Sequence, residues 1–300
     1  MRAPDFFLVG APKCGTTALY AMLGAHPGIF VSPVKEPDFF AADIKAAVAG
    51  SNQPPPRLRR SAEASAKAED PASEEREYLE LFSGAAPAQR LGEGSVSYLA
   101  SRVAASSIHE WCPDARILMV LRDPADRLFS HYSAAIAARS TQETFADWLR
   151  GAAAREKTDA APIGPVVAGR YGANLQRYLG VFPASRIQII WHEDYVTDPR
   201  ATVRSIFKFL GVDETHQVPV SIRRNETRVL RSRLLRGVGT LANLLTDGLA
   251  DRINLWSTMP STLRPSSADR ALAIQLYEDD IRVLAGLTGR DLSRWIAAKG

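Results

Sequence analysis

The chain lacks the features that would mark it as secreted, membrane-spanning or nucleic-acid-binding. It has two cysteines in 300 residues, Cys14 and Cys112. Two thiols make no disulfide framework, and a reducing compartment is the simpler setting. No apolar run nears the ~20 residues that cross a bilayer. The run Phe6–Gly10 begins too early and is too short for a secretory signal. A cytoplasmic protein with no membrane anchor of its own is therefore expected. The 37 Lys and Arg against 33 Asp and Glu leave a net charge of +4, which favours anionic ligands without approaching a nucleic-acid-binding composition. The histidines, His26, His109, His131, His192 and His216, lack metal-ligand spacing, and no acidic Mg²⁺ site stands out, so no metal is expected. Internal repeats are absent.

What is present begins at the start of the chain. Residues 6–17 read Phe-Phe-Leu-Val-Gly-Ala-Pro-Lys-Cys-Gly-Thr-Thr. The apolar run predicts a strand over 6–10, and Leu19, Met22 and Leu23 predict a helix from Thr16 to Ala25. Gly10 and Gly15 keep the glycine spacing of the triphosphate loop G-x-x-x-x-G-K-[ST], but Thr16 stands where the lysine belongs. The lysine is Lys13, inside the loop. A helix N-terminus offers unpaired amides and a positive dipole end, and glycines let an anion approach the backbone. Lys13 adds a full charge, and Thr16 and Thr17 add hydroxyls. The loop is expected to grip a phosphate, though not as an ordinary ATPase. The plainer alternative is a strand–helix turn that needs glycine only for geometry. Cys14, although in an electropositive loop, is expected to serve as a small packing residue.

Two further features accompany the loop. Ala115–Leu121 reads as a strand buried on both faces of a parallel sheet. Arg122-Asp123-Pro124 follows, then a helix carrying Arg127, Ser130, His131 and Tyr132. Ligands of open α/β sheets bind beyond the carboxyl ends of the strands, so Arg122 should share an edge with Lys13, and Ser130 should face the same anion. Arg127 reads either as a further anion contact or as part of a solvated helix face. His131 reads either as a residue lining the cofactor site or, more plainly, as a helix-packing residue. Glu36 lies in Lys-Glu-Pro-Asp-Phe-Phe, where Pro37 keeps it out of the helical region. Phe39 and Phe40 are expected to wall a pocket and raise this carboxylate toward useful base strength. A surface pair with Lys35 is the plainer reading.

Further strands are predicted at 29–31 and 187–191, and helices at 75–82, 142–155, 171–182 and 199–210. The alternation predicts an α/β fold of three layers, a mostly parallel central sheet flanked by helices, with a P-loop-like loop. Residues 1–300 read as one domain, with 41–73 as a variable surface loop or insertion. Residues 223–236 form an arginine-rich stretch, read as a solvated basic helix. The tail 272–298 is helical in pattern, with a turn at 286–289. Gly237–Ala242 spells a dinucleotide fingerprint but follows no strand, so it is discounted.

Together these motifs resemble the sulfotransferases that use 3′-phosphoadenosine 5′-phosphosulfate (PAPS), in particular the heparan-sulfate sulfotransferase branch and its bacterial relatives. Lys13-Cys14-Gly15-Thr16-Thr17 resembles the family's 5′-phosphosulfate loop. Arg122-Asp123-Pro124-x-x-Arg127-x-x-Ser130-x-Tyr132 resembles its 3′-phosphate motif, in which the first arginine and the serine hold the phosphate. Lys35–Phe40 resembles the segment whose glutamate is the catalytic base, and Gly92–Leu99 a substrate-side segment. The resemblance implies PAPS as co-substrate and in-line sulfuryl transfer to an acceptor hydroxyl on a glycan, glycolipid or small metabolite. It casts Glu36 as base, Lys13 as the charge facing the leaving phosphate, and Lys13, Cys14, Gly15, Thr16, Thr17, Arg122 and Ser130 as donor-binding. Two departures stand out. The heparan-sulfate enzymes carry a lysine where this chain has Gly94, and their C-terminal Lys/Gly-rich loop has no clear match, Arg223, Arg224 and Asn225 being the nearest candidates. A P-loop kinase would need a lysine at position 16 and a Mg²⁺ carboxylate. A catalytically silent nucleotide-binding relative is the third reading.

Overall fold

The computed structural model describes residues 2–49, 71–138, 140–157, 164–219, 228–230, 258–260 and 265–297. Its centre is a five-stranded sheet of β1 (Phe6–Gly10), β2 (Ile29–Val31), β3 (Arg90–Gly94), β4 (Arg116–Leu121) and β5 (Ile187–Trp191). The strand order is β2-β3-β1-β4-β5, and every pairing is parallel. Phe6 to Val9 and Ile117 to Val120 are all 0% exposed. Helices therefore cover both faces of the central strands, as their unbroken apolar runs predicted.

This order sets the site. The chain leaves β1 at the centre, moves to one side through β2 and β3, then crosses to β4 and β5 on the other. Loops leaving neighbouring strands in opposite directions open a crevice at their carboxyl ends. The loop after β1 and the turn after β4 are such neighbours.

Around the sheet run α1 (Thr16–Gly24), α2 (Ala42–Ala49), α3 (Pro71–Glu80), α4 (Ala104–Trp111), α5 (Pro124–Ala137), α6 (Phe145–Lys157), α7 (Tyr171–Leu179), α8 (His192–Thr197) and α9 (Pro199–Leu210). Near the C-terminus come α10 (Ser267–Gln275), α11 (Glu278–Thr288) and α12 (Ser293–Ile296). Asp280 on α11 caps α7 from outside, accepting the amides of Gly172 (2.8 Å) and Ala173 (2.9 Å). No helix among the described residues is long and apolar enough to cross a membrane.

Several sequence expectations are corrected. Both ends of the expected 41–73 loop are helical, as α2 and the start of α3; residues 50–70 lie outside the described residues. Asp43 of α2 accepts the Ser101 hydroxyl (2.6 Å) and the Arg102 amide (2.8 Å), tying the segment to the body. Strand β3 was not anticipated, because Arg-Leu-Gly-Glu-Gly has neither apolar alternation nor β-branched residues. Of the arginine-rich stretch, residues 228–230 form a strand antiparallel to 258–260, not a helix. Arg223, Arg224, Asn225 and Gly237–Ala242 lie outside the described residues.

Candidate donor-anion and catalytic site

The loop after β1 is built to present amides. Lys13 (φ 69°) and Gly15 (φ 89°) both occupy the left-handed region. For a lysine this is an uncommon conformation, of the kind that clusters at functional sites. Gly15 is the N-cap of α1, with no side-chain cap and no acidic residue in the first turn. The leading amides of α1 are therefore not claimed by a side chain of the cap, and the positive end of the helix faces the loop. A side chain at 15 would also crowd Tyr195 (3.3 Å) and His192 (3.8 Å). Thr16 is buried and Thr17 exposed. Cys14 turns inward and is fully buried, with Sγ 3.8 Å from the Tyr171 hydroxyl. Burial pushes its thiol up to about 11, which fits a packing role and not a reactive one.

Arg122, half-buried at the end of β4, brings the second motif to the first. Its Nη1 lies 3.4 Å from the Lys13 carbonyl oxygen, to which it donates. Burial, reinforced by the Arg122 charge, pulls Lys13 below the ordinary lysine range. The helix that follows differs from α1. Asp123 caps α5, accepting the amides of Ala125 (3.0 Å) and Asp126 (3.3 Å). The leading amides of α5 are therefore engaged by Asp123, and the groups this end offers to an anion are the Arg122 and Ser130 side chains. Ser130 is half-buried on α5, and Arg127, one turn before it, is 0% exposed. That excludes the solvated face and leaves no room for Arg127 to touch a ligand directly.

Two histidines complete this edge. His131 is pushed down to about 4, first by burial and then by the charges of Arg127 and Lys13. Its Nδ1 is buried without a hydrogen-bond partner among the described residues. His192, the first residue after β5, is likewise pushed down to about 4 by burial and Arg122. On sequence His131 is weighed as lining the site, whereas His192 is not a candidate. The rule that ligands gather beyond carboxyl strand ends would have found His192; electrostatic contact between His131 and Lys13 has no counterpart in sequence spacing.

Glu36 follows β2 on the same edge. Its amide donates to the Gly94 carbonyl (2.9 Å), and Oε1 lies 2.5 Å from Lys35 Nζ. The backbone is not extended as the proline rule suggests but left-handed, φ 63°. The expected aromatic wall is also corrected. Phe39 stacks on Tyr78 at 4.2 Å, and Phe40 packs edge-on against Phe7, Tyr78 and Trp111. These rings belong to the core. In this region the carboxylates raised by burial are Asp38, two positions on, and the wholly buried Glu93 of β3, the latter pushed up to about 7. At Gly94 an added Cβ would lie 2.9 Å from the Tyr20 ring, and Tyr20 is fixed by a 2.8 Å hydrogen bond to the Ser32 carbonyl. Tyr20 thus fills the space into which a side chain at 94 would grow.

An open helix N-terminus, a lysine in its loop and an arginine docked on that loop form a cationic edge that can cradle an anion at the carboxyl ends of a parallel sheet. The Sulfotransferase family profile matches residues 4–216, and the chain belongs to that family. It is 26% identical over 261 residues to carbohydrate sulfotransferase 15 of Rattus norvegicus, covering 70% of this chain and 44% of that protein. It is 28% identical over 222 residues to the human bifunctional heparan sulfate N-deacetylase/N-sulfotransferase 2, covering 70% of this chain and 22% of that protein. The chain thus spans less than half the length of these curated relatives. A sulfotransferase structure from Alicyclobacillus acidocaldarius superposes with a TM-score of 0.70 at 26% identity, covering 99% of this chain and 100% of that one.

Proposed function

We propose that the chain, taken as one domain, is a PAPS-dependent sulfotransferase that moves a sulfuryl group to an acceptor hydroxyl. The observation that carries this reading is the docking of Arg122 on the Lys13 carbonyl at 3.4 Å, which joins two anion motifs 109 positions apart. The residues fit an anionic donor: an α1 N-terminus uncapped by any side chain and two cations drawn close.

In this reading the backbone of Gly15, Thr16 and Thr17 holds the phosphosulfate, with Cys14 packing the loop from behind. Arg122 and Ser130 hold the 3′-phosphate. The strand 228–230 packs against α5, the helix that carries Ser130. The donor supplies an activated sulfur. Lys13 meets the charge that gathers on the phosphate oxygen as its bond to sulfur breaks. Glu36 takes the acceptor proton as the new oxygen–sulfur bond forms. A sulfuryl group carries less negative charge than a phosphoryl group, so this chemistry does not demand the metal clamp of phosphoryl transfer. Asp123, the carboxylate at the strand end, is already engaged by Arg270 (2.6 Å) and by its own helix.

For the acceptor, the names of the relatives point to carbohydrate and heparan sulfate. We propose a hydroxyl-bearing glycan, glycolipid or small metabolite. Tyr20 at Gly94 argues against carrying over a polysaccharide grip that uses a lysine there. The two free, buried cysteines suit a cytoplasmic setting. The test is thermal-shift binding of adenosine 3′,5′-bisphosphate against ATP·Mg, followed by transfer from ³⁵S-labelled PAPS to an acceptor panel. Stabilisation by the bisphosphate and labelled product are expected. Stabilisation by ATP·Mg alone would sink the reading in favour of a kinase.

A further inference from the structure

Arg127 is the motif residue to which the reading above gives no task. Its side chain is 0% exposed, and a guanidinium does not shed its proton in proteins. The charge therefore stays in the interior, where an ion is costly unless paired. Nη2 donates to the Pro165 carbonyl and to the Tyr277 hydroxyl (3.4 Å). Nε and Nη1 have no hydrogen-bond partner among the described residues. Nor does any carboxylate among them lie within ion-pair distance. Glu156 feels the Arg127 charge, but its oxygens accept the amides of Val166 (2.8 Å) and Val167 (2.6 Å). Buried cations without counter-charge call for a specific explanation.

The surroundings supply one. The Arg127 charge acts on the Cys14 thiol, within the loop, and on His131, which Lys13 also faces. Tyr171, 3.8 Å from Cys14 Sγ, is another electrostatic neighbour. Arg127 is thus a buried electrostatic neighbour of Cys14, the loop residue whose side chain turns inward next to Lys13. Because Nε and Nη1 are closed off, it acts through space.

We propose that Arg127 is a positioning residue for the donor: a buried cation neighbouring Cys14 that lends the loop a fixed positive field, balanced by the phosphosulfate the loop holds. This rests on the loop being the donor site. The field does not depend on solvent-exposed charges, so added salt weakens it less than it weakens surface pairs. It also acts on His131, whose charged neighbours are Lys13 from the loop and Arg127 from its own helix, with Trp148 of α6 alongside (6.1 Å).

The test compares Arg127→Met with Arg127→Lys, both checked for folding by circular dichroism and melting. Adenosine 3′,5′-bisphosphate affinity is measured by calorimetry, Michaelis constants are measured for donor and acceptor, and His131 is titrated by NMR. Arg127→Met should weaken bisphosphate binding tenfold or more and raise the donor KM similarly, with the acceptor KM within twofold. Arg127→Lys should recover a substantial part of the affinity. In the Met variant His131 should titrate at higher pH, which a purely packing role would not produce. Unchanged bisphosphate affinity in a folded Met variant, or equal losses in both folded variants, would overturn the proposal. If the variants do not fold, the unaltered protein decides. Its His131 should stay neutral to about pH 5 without ligand and take up a proton more readily once the bisphosphate is bound; ordinary titration with no response to ligand would refute the field. Failure of the unaltered protein to bind the bisphosphate would instead remove the donor-site reading itself.

Discussion

Arg270 reaches Asp123 across 147 positions of sequence, with Nη2 2.6 Å from Oδ2. The two side chains are 6% and 3% exposed. Nη1 of the same arginine lies 2.9 Å from Asp126, so one C-terminal residue neutralises two carboxylates at the start of α5. Asp123 immediately follows Arg122. Without Arg270, Asp123 would lose this buried ion pair right beside Arg122.

Replacing Arg270 with Met should therefore destabilise the fold by about 3–5 kcal/mol, the scale for removing one partner of a buried ion pair. Urea unfolding would measure it, and bisphosphate affinity should fall as well. A loss under about 1 kcal/mol, typical of a surface pair, would show that the Asp123–Arg270 pair is not needed.

Lys13→Ala should lower kcat by about 10²–10³, the scale for removing one preorganised donor to developing charge. Initial rates with labelled donor at saturation would show it. A kcat within threefold of the parent would mean that another group meets the leaving phosphate.

Glu36→Gln keeps the shape of the side chain and removes the carboxylate proposed as base. Turnover should fall by about 10²–10⁴, while bisphosphate affinity stays within twofold. Surviving turnover would point to a different proton acceptor.

Glu93 offers a pH test. Burial lifts its folded value to about 7 from an ordinary 4.5, so the folded state binds this proton more tightly than the unfolded chain. The contribution is full below pH 4.5 and is lost as pH rises through 7, about 3 kcal/mol in all. Glu93→Gln should therefore gain stability relative to the parent as pH rises across that window. His131 and His192, with depressed values, act in the opposite sense between 6.5 and 4 in both proteins and cancel in the comparison. Parallel melting-temperature curves for variant and parent from pH 5 to 8 would disprove the assignment.

Gly94→Ala should cost about 1–3 kcal/mol through overpacking against Tyr20. In a Tyr20→Leu background the penalty should shrink, and the double-mutant cycle would report coupling. Additive losses would show that Tyr20 does not occupy that space.

The parts of the site that are contiguous in the chain were legible in its sequence. A strand, a glycine turn, an internal lysine and a helix lie within Phe6 to Leu23, and apolar periodicity with turn chemistry suffices to read them. The β4 strand with Arg122 at its end was legible for the same reason. Strand β3 was not, because its glycines and Glu93 fit the sheet only through neighbours supplied by β1 and β2. The environment of Glu36 was misjudged because adjacency to Phe39 and Phe40 says nothing about which way their rings turn.

Sequence alone carried the resemblance to the sulfotransferases, through the displaced lysine at position 13 and the later motif of Arg122 and Ser130. Only the tertiary structure decided which charges face solvent. Along α5, Arg127 looks like any arginine of a polar helix face. It is interior because Pro165 and Tyr277 close over it, and Asp123 is neutral in effect because Arg270 arrives from α10. Helical periodicity reports a face of a helix, whereas burial and charge balance depend on which distant segment packs against that face.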